Sequence, residues 1–121
     1  MEQRPWRPPV AATPADHVIY FQPQITVDND GRVTLSAFAL AQGRIHVVLF
    51  TSRSGPLRFG PPLTVTSRPF DPAEGTLSGG KHGAWWVGDY QGLASVPGAL
   101  HPFWNDTRTG RLELFTATVR P

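Results

Sequence analysis

Cysteine is absent from the 121 residues, and its absence removes two classes of protein at once. A chain without thiols has neither a disulfide framework nor a thiolate metal site. It fits either redox compartment. Lysine is almost absent as well. Lys81 is the only one, and every other basic residue is an arginine, spread along the chain. The 11 basic and 9 acidic residues leave a formal charge of +2. A nucleic-acid footprint needs a clustered basic face, and no Lys/Arg run occurs, so no nucleic-acid partner is expected. Long hydrophobic runs are missing too. None approaches the ~20 residues of a membrane span, so no membrane partner is expected either. The opening MEQRPWRPPV lacks the apolar core of a signal peptide. The expectation is a cytosolic chain as written, or a piece of a longer secreted protein with its signal elsewhere.

Also lacking is any stretch of ten or more residues with helical apolar spacing. What the sequence has instead is 12 glycines and 13 prolines between short β-branched and aromatic runs. That pattern predicts an all-β chain. The expected strands are Gln24–Val27, Arg32–Leu40, Arg44–Ser52 and Leu63–Ser67, then Gln91–Val96, Leu100–Asp106 and Arg111–Val119. The expected turns are Asp28–Gly31, Ala41–Gly43, Ser54–Pro62, Pro97–Ala99 and Thr107–Gly110, each with Gly or Pro placed for a reversal. At this length the chain is at most one ordinary domain, burying about two-thirds of its unfolded surface.

Two internal matches organise these strands. Gly43-Arg44-Ile45-His46-Val47 matches Gly110-Arg111-Leu112-Glu113-Leu114 at an offset of 67. Trp6–Thr13 matches Phe59–Thr66 at an offset of 53. The difference places an insertion of about 15 residues just before the second unit's first strand. The repeat unit then has four strands, A to D. The chain holds strand D of one unit, a whole A-B-C-D unit, and A-B-C of the next. Four-stranded meanders repeated along a chain are the signature of propeller blades. The predicted division is residues 1–20 as an outer strand of a preceding blade plus linker, 21–67 as a complete blade, 68–89 as a long inter-blade loop, and 90–121 as a last blade of three strands.

The residues in these units resemble a known family. Phe21-Gln22-Pro23-Gln24-Ile25-Thr26-Val27 followed by Asp28-Asn29-Asp30-Gly31 is similar to the first strand and "D-x-x-G" turn of sialidase-like β-propellers of the bacterial neuraminidase repeat (Asp-box) superfamily. Trp86-Val87-Gly88-Asp89-Tyr90-Gln91-Gly92-Leu93-Ala94, with His101-Pro102-Phe103-Trp104-Asn105-Asp106-Thr107-Arg108, resembles that family's final-blade pattern. The Asp-box itself is degraded: on Ser52–Phe59 only Ser52 and the aromatic Phe59 keep its pattern. The resemblance implies about two blades of a six-bladed propeller.

Strand direction places the long loop 68–89 on the same face of the ring as the turn 105–110. Asp89 and Tyr90 fall at that face as well. The resemblance implies that ligands bind there, and loops on a rigid scaffold are common carriers of binding groups. The candidate ligand-binding residues are therefore His82, Trp85, Trp86, Asp89, Tyr90, Asp106 and Arg108, with Lys81 beside them. Each has a plainer reading. Asp106 reads as an Asx-type turn cap, Asp89 as a backbone cap where the strand begins, and Arg108 as a solvated turn residue. Tyr90, Phe103 and Trp104 read as packing between blades. Trp85 and Trp86 point opposite ways if extended, so one can pack while the other stacks on a sugar. Arg108 can alternatively clamp a carboxylate.

Other chemistries find no pattern. The four histidines lack metal-site spacing, and no cofactor is expected. Asp28–Gly31 mimics the start of a calcium loop, but position 39 is Ala where a Glu is needed. No nucleophile-elbow or phosphate-loop motif occurs. Sialidase chemistry, as the resemblance implies it, draws an Arg triad, a Tyr–Glu pair and an Asp from several blades. Two blades do not supply that set, so no catalytic residue is assigned. Three readings follow: a non-catalytic scaffold or glycan-binding segment, a fragment of a sialidase-type exo-glycosidase, or a structural assembly module. The expected partners are a glycan and either further copies of the chain, three of them making six blades, or the remainder of a longer chain.

Overall fold

A computed structural model describes residues 5–53, 55–74 and 87–121. Seven strands carry the fold: β1 (Ile19–Val27), β2 (Val33–Ala41), β3 (Arg44–Ser52), β4 (Leu63–Thr64), β5 (Gly92–Val96), β6 (Ala99–Asp106) and β7 (Glu113–Thr116). They form two antiparallel sheets, one ordered β1-β2-β3-β4 and the other β5-β6-β7. Neighbours in sequence are neighbours in each sheet, and neither sheet closes on itself. No helix occurs among the described residues. The all-β reading of the sequence therefore holds.

Turn chemistry sets the registers. Asp28 Oδ1 accepts the Asp30 and Arg32 amides at 2.9 Å, an Asx turn that closes β1 onto β2. Between β2 and β3, Gln42 and Gly43 both have positive φ, 51° and 72°. That is the type I′ geometry matching the twist of a tight hairpin, and it fixes Ala41 opposite Arg44.

Four elements depart from expectation. β7, expected over Arg111–Val119, is cut to Glu113–Thr116, with Val119 meeting Leu100 only as an isolated bridge beyond it. β1 begins at Ile19 rather than Gln24, because a bulge between Phe21 and Gln24 absorbs Pro23 and lets pairing with β2 continue. β4 is cut to Leu63–Thr64. Beyond it the Val65 amide still donates to the Val47 carbonyl, but the Thr66 hydroxyl, not a carbonyl, accepts the Val47 amide at 3.2 Å. Residues 6–13, expected as an outer strand, form no strand, and Trp6 is 68% exposed. Pro8 and Pro9 offer no amide, and no strand edge pairs with this segment.

The sheets pack face to face. One face of the first sheet, hereafter the front, carries Phe38, Leu40, Ile45 and Val47. They join Trp104, Phe115 and Ala117 of the second sheet, with Val87 and Phe70, in one core cluster. The Phe38 and Phe70 rings meet edge to face at 5.9 Å. Strands β1 and β5 lie in contact. The back of the first sheet bears Ala37, Ala39, Val48 and Phe50, flanked by Tyr20 and Phe59. Here the Tyr20 ring meets Phe50 edge-on at 5.3 Å.

Candidate functional site

The connection leaving β4 crosses to the end of the molecule that carries the β2–β3 and β6–β7 turns. It is held there by named contacts. Arg68 Nη2 donates to the Arg108 carbonyl and Arg108 Nη1 to Ser67 Oγ, both at 3.4 Å. Thr107 Oγ1 donates to the Asp71 carbonyl at 2.5 Å. Arg44, at the start of β3, pairs with the Asp71 carboxylate. The first part of the long connection thus shares an end with the β6–β7 turn. Lys81, His82, Trp85 and Trp86 lie outside the described residues.

Asp106 and Arg108 are brought together, but they face each other. Asp106 is fully buried. Its Oδ1 accepts the Arg108 amide at 2.8 Å, which is the Asx cap anticipated for this turn. Its Oδ2 accepts Trp104 Nε1 at 3.0 Å, Arg108 Nε at 3.0 Å and Arg108 Nη2 at 2.8 Å. The Arg108 guanidinium lies 4.7 Å from the Phe115 ring centroid, and Phe115 stacks with Trp104 at 6.3 Å. The expectation of a solvated turn arginine is therefore corrected. The guanidinium is drawn inward because a buried carboxylate needs a counter-charge and an aromatic face lies open to it. The carboxylate Arg108 clamps is the chain's own.

Asp89 and Tyr90 precede β5 at this same end. The backbone there is tightly built. Asn105 Nδ2 donates to the Val87 carbonyl at 2.7 Å. Gly88 has φ +98°, and a Cβ on it would sit 2.2 Å from Asn105 Nδ2. Asp89 is exposed, and Tyr90 is 80% exposed. The reading of Tyr90 and Phe103 as packed between sheets is likewise corrected, since Phe103 is 46% exposed. Trp104 alone of the three fills the shared core, because alternation turns it inward while Phe103 faces outward across Gly92.

Two clefts flank the β2–β3 turn. One, of about 470 Å³, runs from His17 and Ile19 past Gln42 to Asp71. The other, of about 510 Å³, opens over the back of the first sheet, with Ala39, Ala41 and Val48 as its floor and Tyr20, Arg44 and His46 at its sides. The Tyr20 hydroxyl donates to Asp16 Oδ2 at 3.0 Å. Its ionisation is pushed up by burial first and by the Asp16 carboxylate second. His46 Nδ1 lies 2.7 Å from Thr66 Oγ1. Neither cleft was singled out in the sequence. The signal for the second was present in Ala39 and Ala41, small residues two apart on one strand, which leave room above a sheet face.

A polar seam joins the two sheets nearby. Gln22, whose φ of 51° is unusual for a residue other than glycine, donates from Nε2 to the Gly88 carbonyl. Gln91 Nε2 donates to the Gln22 carbonyl at 3.1 Å. Their side-chain oxygens are buried with no hydrogen-bond partner among the described residues. No group of three or more His, Cys, Asp or Glu suited to a metal occurs among the described residues. No family model, no curated protein and no solved structure matches this chain.

Proposed function

We propose that the chain is a segment of a sialidase-like β-propeller that acts as a non-catalytic scaffold, offering glycan-binding groups at the end that carries the β2–β3 and β6–β7 turns. The observation that supports this reading most is the order of the two sheets. Each is a meander running outward from its first strand, and the first strands, β1 and β5, lie in contact. Successive propeller blades have that relation. A second feature fits. Ser52 and Phe59, the two positions that keep the Asp-box pattern, bridge the connection between β3 and β4, and Ser52 Oγ accepts the Arg58 amide at 2.8 Å.

The non-catalytic part of the reading follows from Asp106 and Arg108. The buried Asp106 carboxylate is taken up by Trp104 and Arg108, and Arg108, its side chain 16% exposed, already clamps that carboxylate rather than a substrate's. Glycan recognition would then fall to Tyr90, which is 80% exposed and presents an aromatic ring to solvent. A glycan array of the folded chain, repeated with Tyr90→Ala, tests the proposal. The expected result is binding to at least one glycan class that weakens about tenfold in the variant. Binding to no glycan would favour an assembly module instead. No turnover of a fluorogenic sialoside is expected. Turnover by the folded wild-type chain would identify it as part of a glycosidase and overturn the reading.

A further inference from the structure

Among the described residues the two sheets share one interface, and each has a second face that takes no part in it, the first sheet's being covered over part of its area by Val18, Tyr20 and Phe59. Across the offset of 67, Ile45 corresponds to Leu112, Val47 to Leu114, Val48 to Phe115 and Phe50 to Ala117. The same offset relates Ala37 to Trp104 and Phe38 to Asn105. The front of the first sheet, which packs on the second sheet, therefore corresponds to the second sheet's outer face. The second sheet's inner face, which receives that front, corresponds to the first sheet's back.

Exposure follows this correspondence. Val47 is fully buried against the second sheet, while Leu114 in the equivalent place is 79% exposed. Phe103, on the same outer face, is 46% exposed, and Val96 at the edge of β5 is 43% exposed. At the other end of the chain, the back of the first sheet bears Ala37 where the second sheet has Trp104. Ala37 itself is covered within the chain, and it is Ala39 and Ala41, further along the same face, that floor the cleft of about 510 Å³ between Tyr20, Val48 and Thr64. An exposed face with large apolar side chains and a complementary face with a cleft between small ones occur on the same molecule.

We propose that this chain docks a second copy of itself head to tail, the outer face of one copy's second sheet seating Phe103 and Leu114 on the back of the next copy's first sheet. The interface repeats the one already formed within the chain, so the occupant is argued from the chain's own geometry. The contact is heterologous, and copies add until a ring closes. Three copies would bring six sheets together. The inference does not depend on glycan binding, which is assigned to Tyr90, a residue that does not line the cleft.

Sedimentation of the purified chain at micromolar concentration tests it, with two variants at exposed positions. Leu114→Glu places a charge on the outer face, and Thr64→Arg places one at the cleft. Each variant alone is expected to keep the wild-type circular dichroism and to associate at least about tenfold more weakly. Mixed in equal amounts, they retain one good outer face and one good cleft. The mixture is expected to form a 1:1 dimer and nothing larger. A monomeric wild-type chain, a variant that assembles as the wild type does, or a mixture that stays monomeric would each overturn the proposal. Tyr90→Ala is expected to leave sedimentation unchanged, which separates this outcome from that of the glycan array.

Discussion

Asp106 shows how the same residues can suggest a site and build a core. An acid, an arginine and two aromatics within twelve positions look like a ligand pocket in one dimension. In three dimensions Trp104 Nε1 and three donors of Arg108 converge on one carboxylate. Removing one partner of a buried pair leaves the other charge uncompensated, at a cost of about 3–5 kcal/mol. Asp106→Ala is therefore expected to lower unfolding stability by about that amount in a urea titration. A loss below about 1 kcal/mol, the value of an exposed pair, would show that Arg108 is free for other work. Gly88 makes a second residue-scale case. Its φ of +98° and the approach of Asn105 both disfavour a side chain. Gly88→Ala is expected to cost about 1–3 kcal/mol, more than Gly98→Ala, whose added Cβ would meet nothing within 4 Å. Equal losses would mean that the Asn105–Val87 hydrogen bond yields easily.

The elements were legible in the sequence where local chemistry decides them. Asp28–Gly31 and Gln42-Gly43 dictate their turns through an Asx cap and through positive φ, so β2 and β3 fall close to their predicted limits. The elements that shifted depend on partners far along the chain. β1 runs past Pro23 because β2 offers an edge beyond the bulge, and β4 ends early because the Thr66 hydroxyl takes a ladder position. The same distinction applies to the site. The Asx cap at Asp106 is local and was readable. The inward turn of Arg108 needs Phe115 on another strand and was not. Arg44 and Asp71, which tie β3 to the connection leaving β4, give a pH test. The Ala73 amide first and the Arg44 guanidinium second hold the Asp71 carboxyl below its usual 3.8. A depressed carboxyl stabilises the fold fully above 3.8, and that contribution is lost as pH falls through the lower folded value. Carbon NMR of the Asp71 carboxyl should therefore show a midpoint below 3.8 that rises in Arg44→Ala. A midpoint that does not move would remove Arg44 from the account.

For the whole molecule the central claim is that the two sheets pack face to face into one body, with β1 and β5 side by side. The proposed glycan site and the proposed head-to-tail contact both rest on that arrangement. If Phe38, Val47, Trp104 and Phe115 form one core, neither sheet opens without the other. Native-state hydrogen exchange measures this directly, by comparing amides of β2 and β3 with those of β6 in the wild type and in Val47→Ala. Removing two methyl groups from a fully buried site costs on the order of 1–3 kcal/mol. The account predicts that the most protected amides of both sheets exchange at one shared free energy, and that Val47→Ala lowers it equally in both. Separate, lower protection of β6 that ignores the substitution in β3 would contradict it.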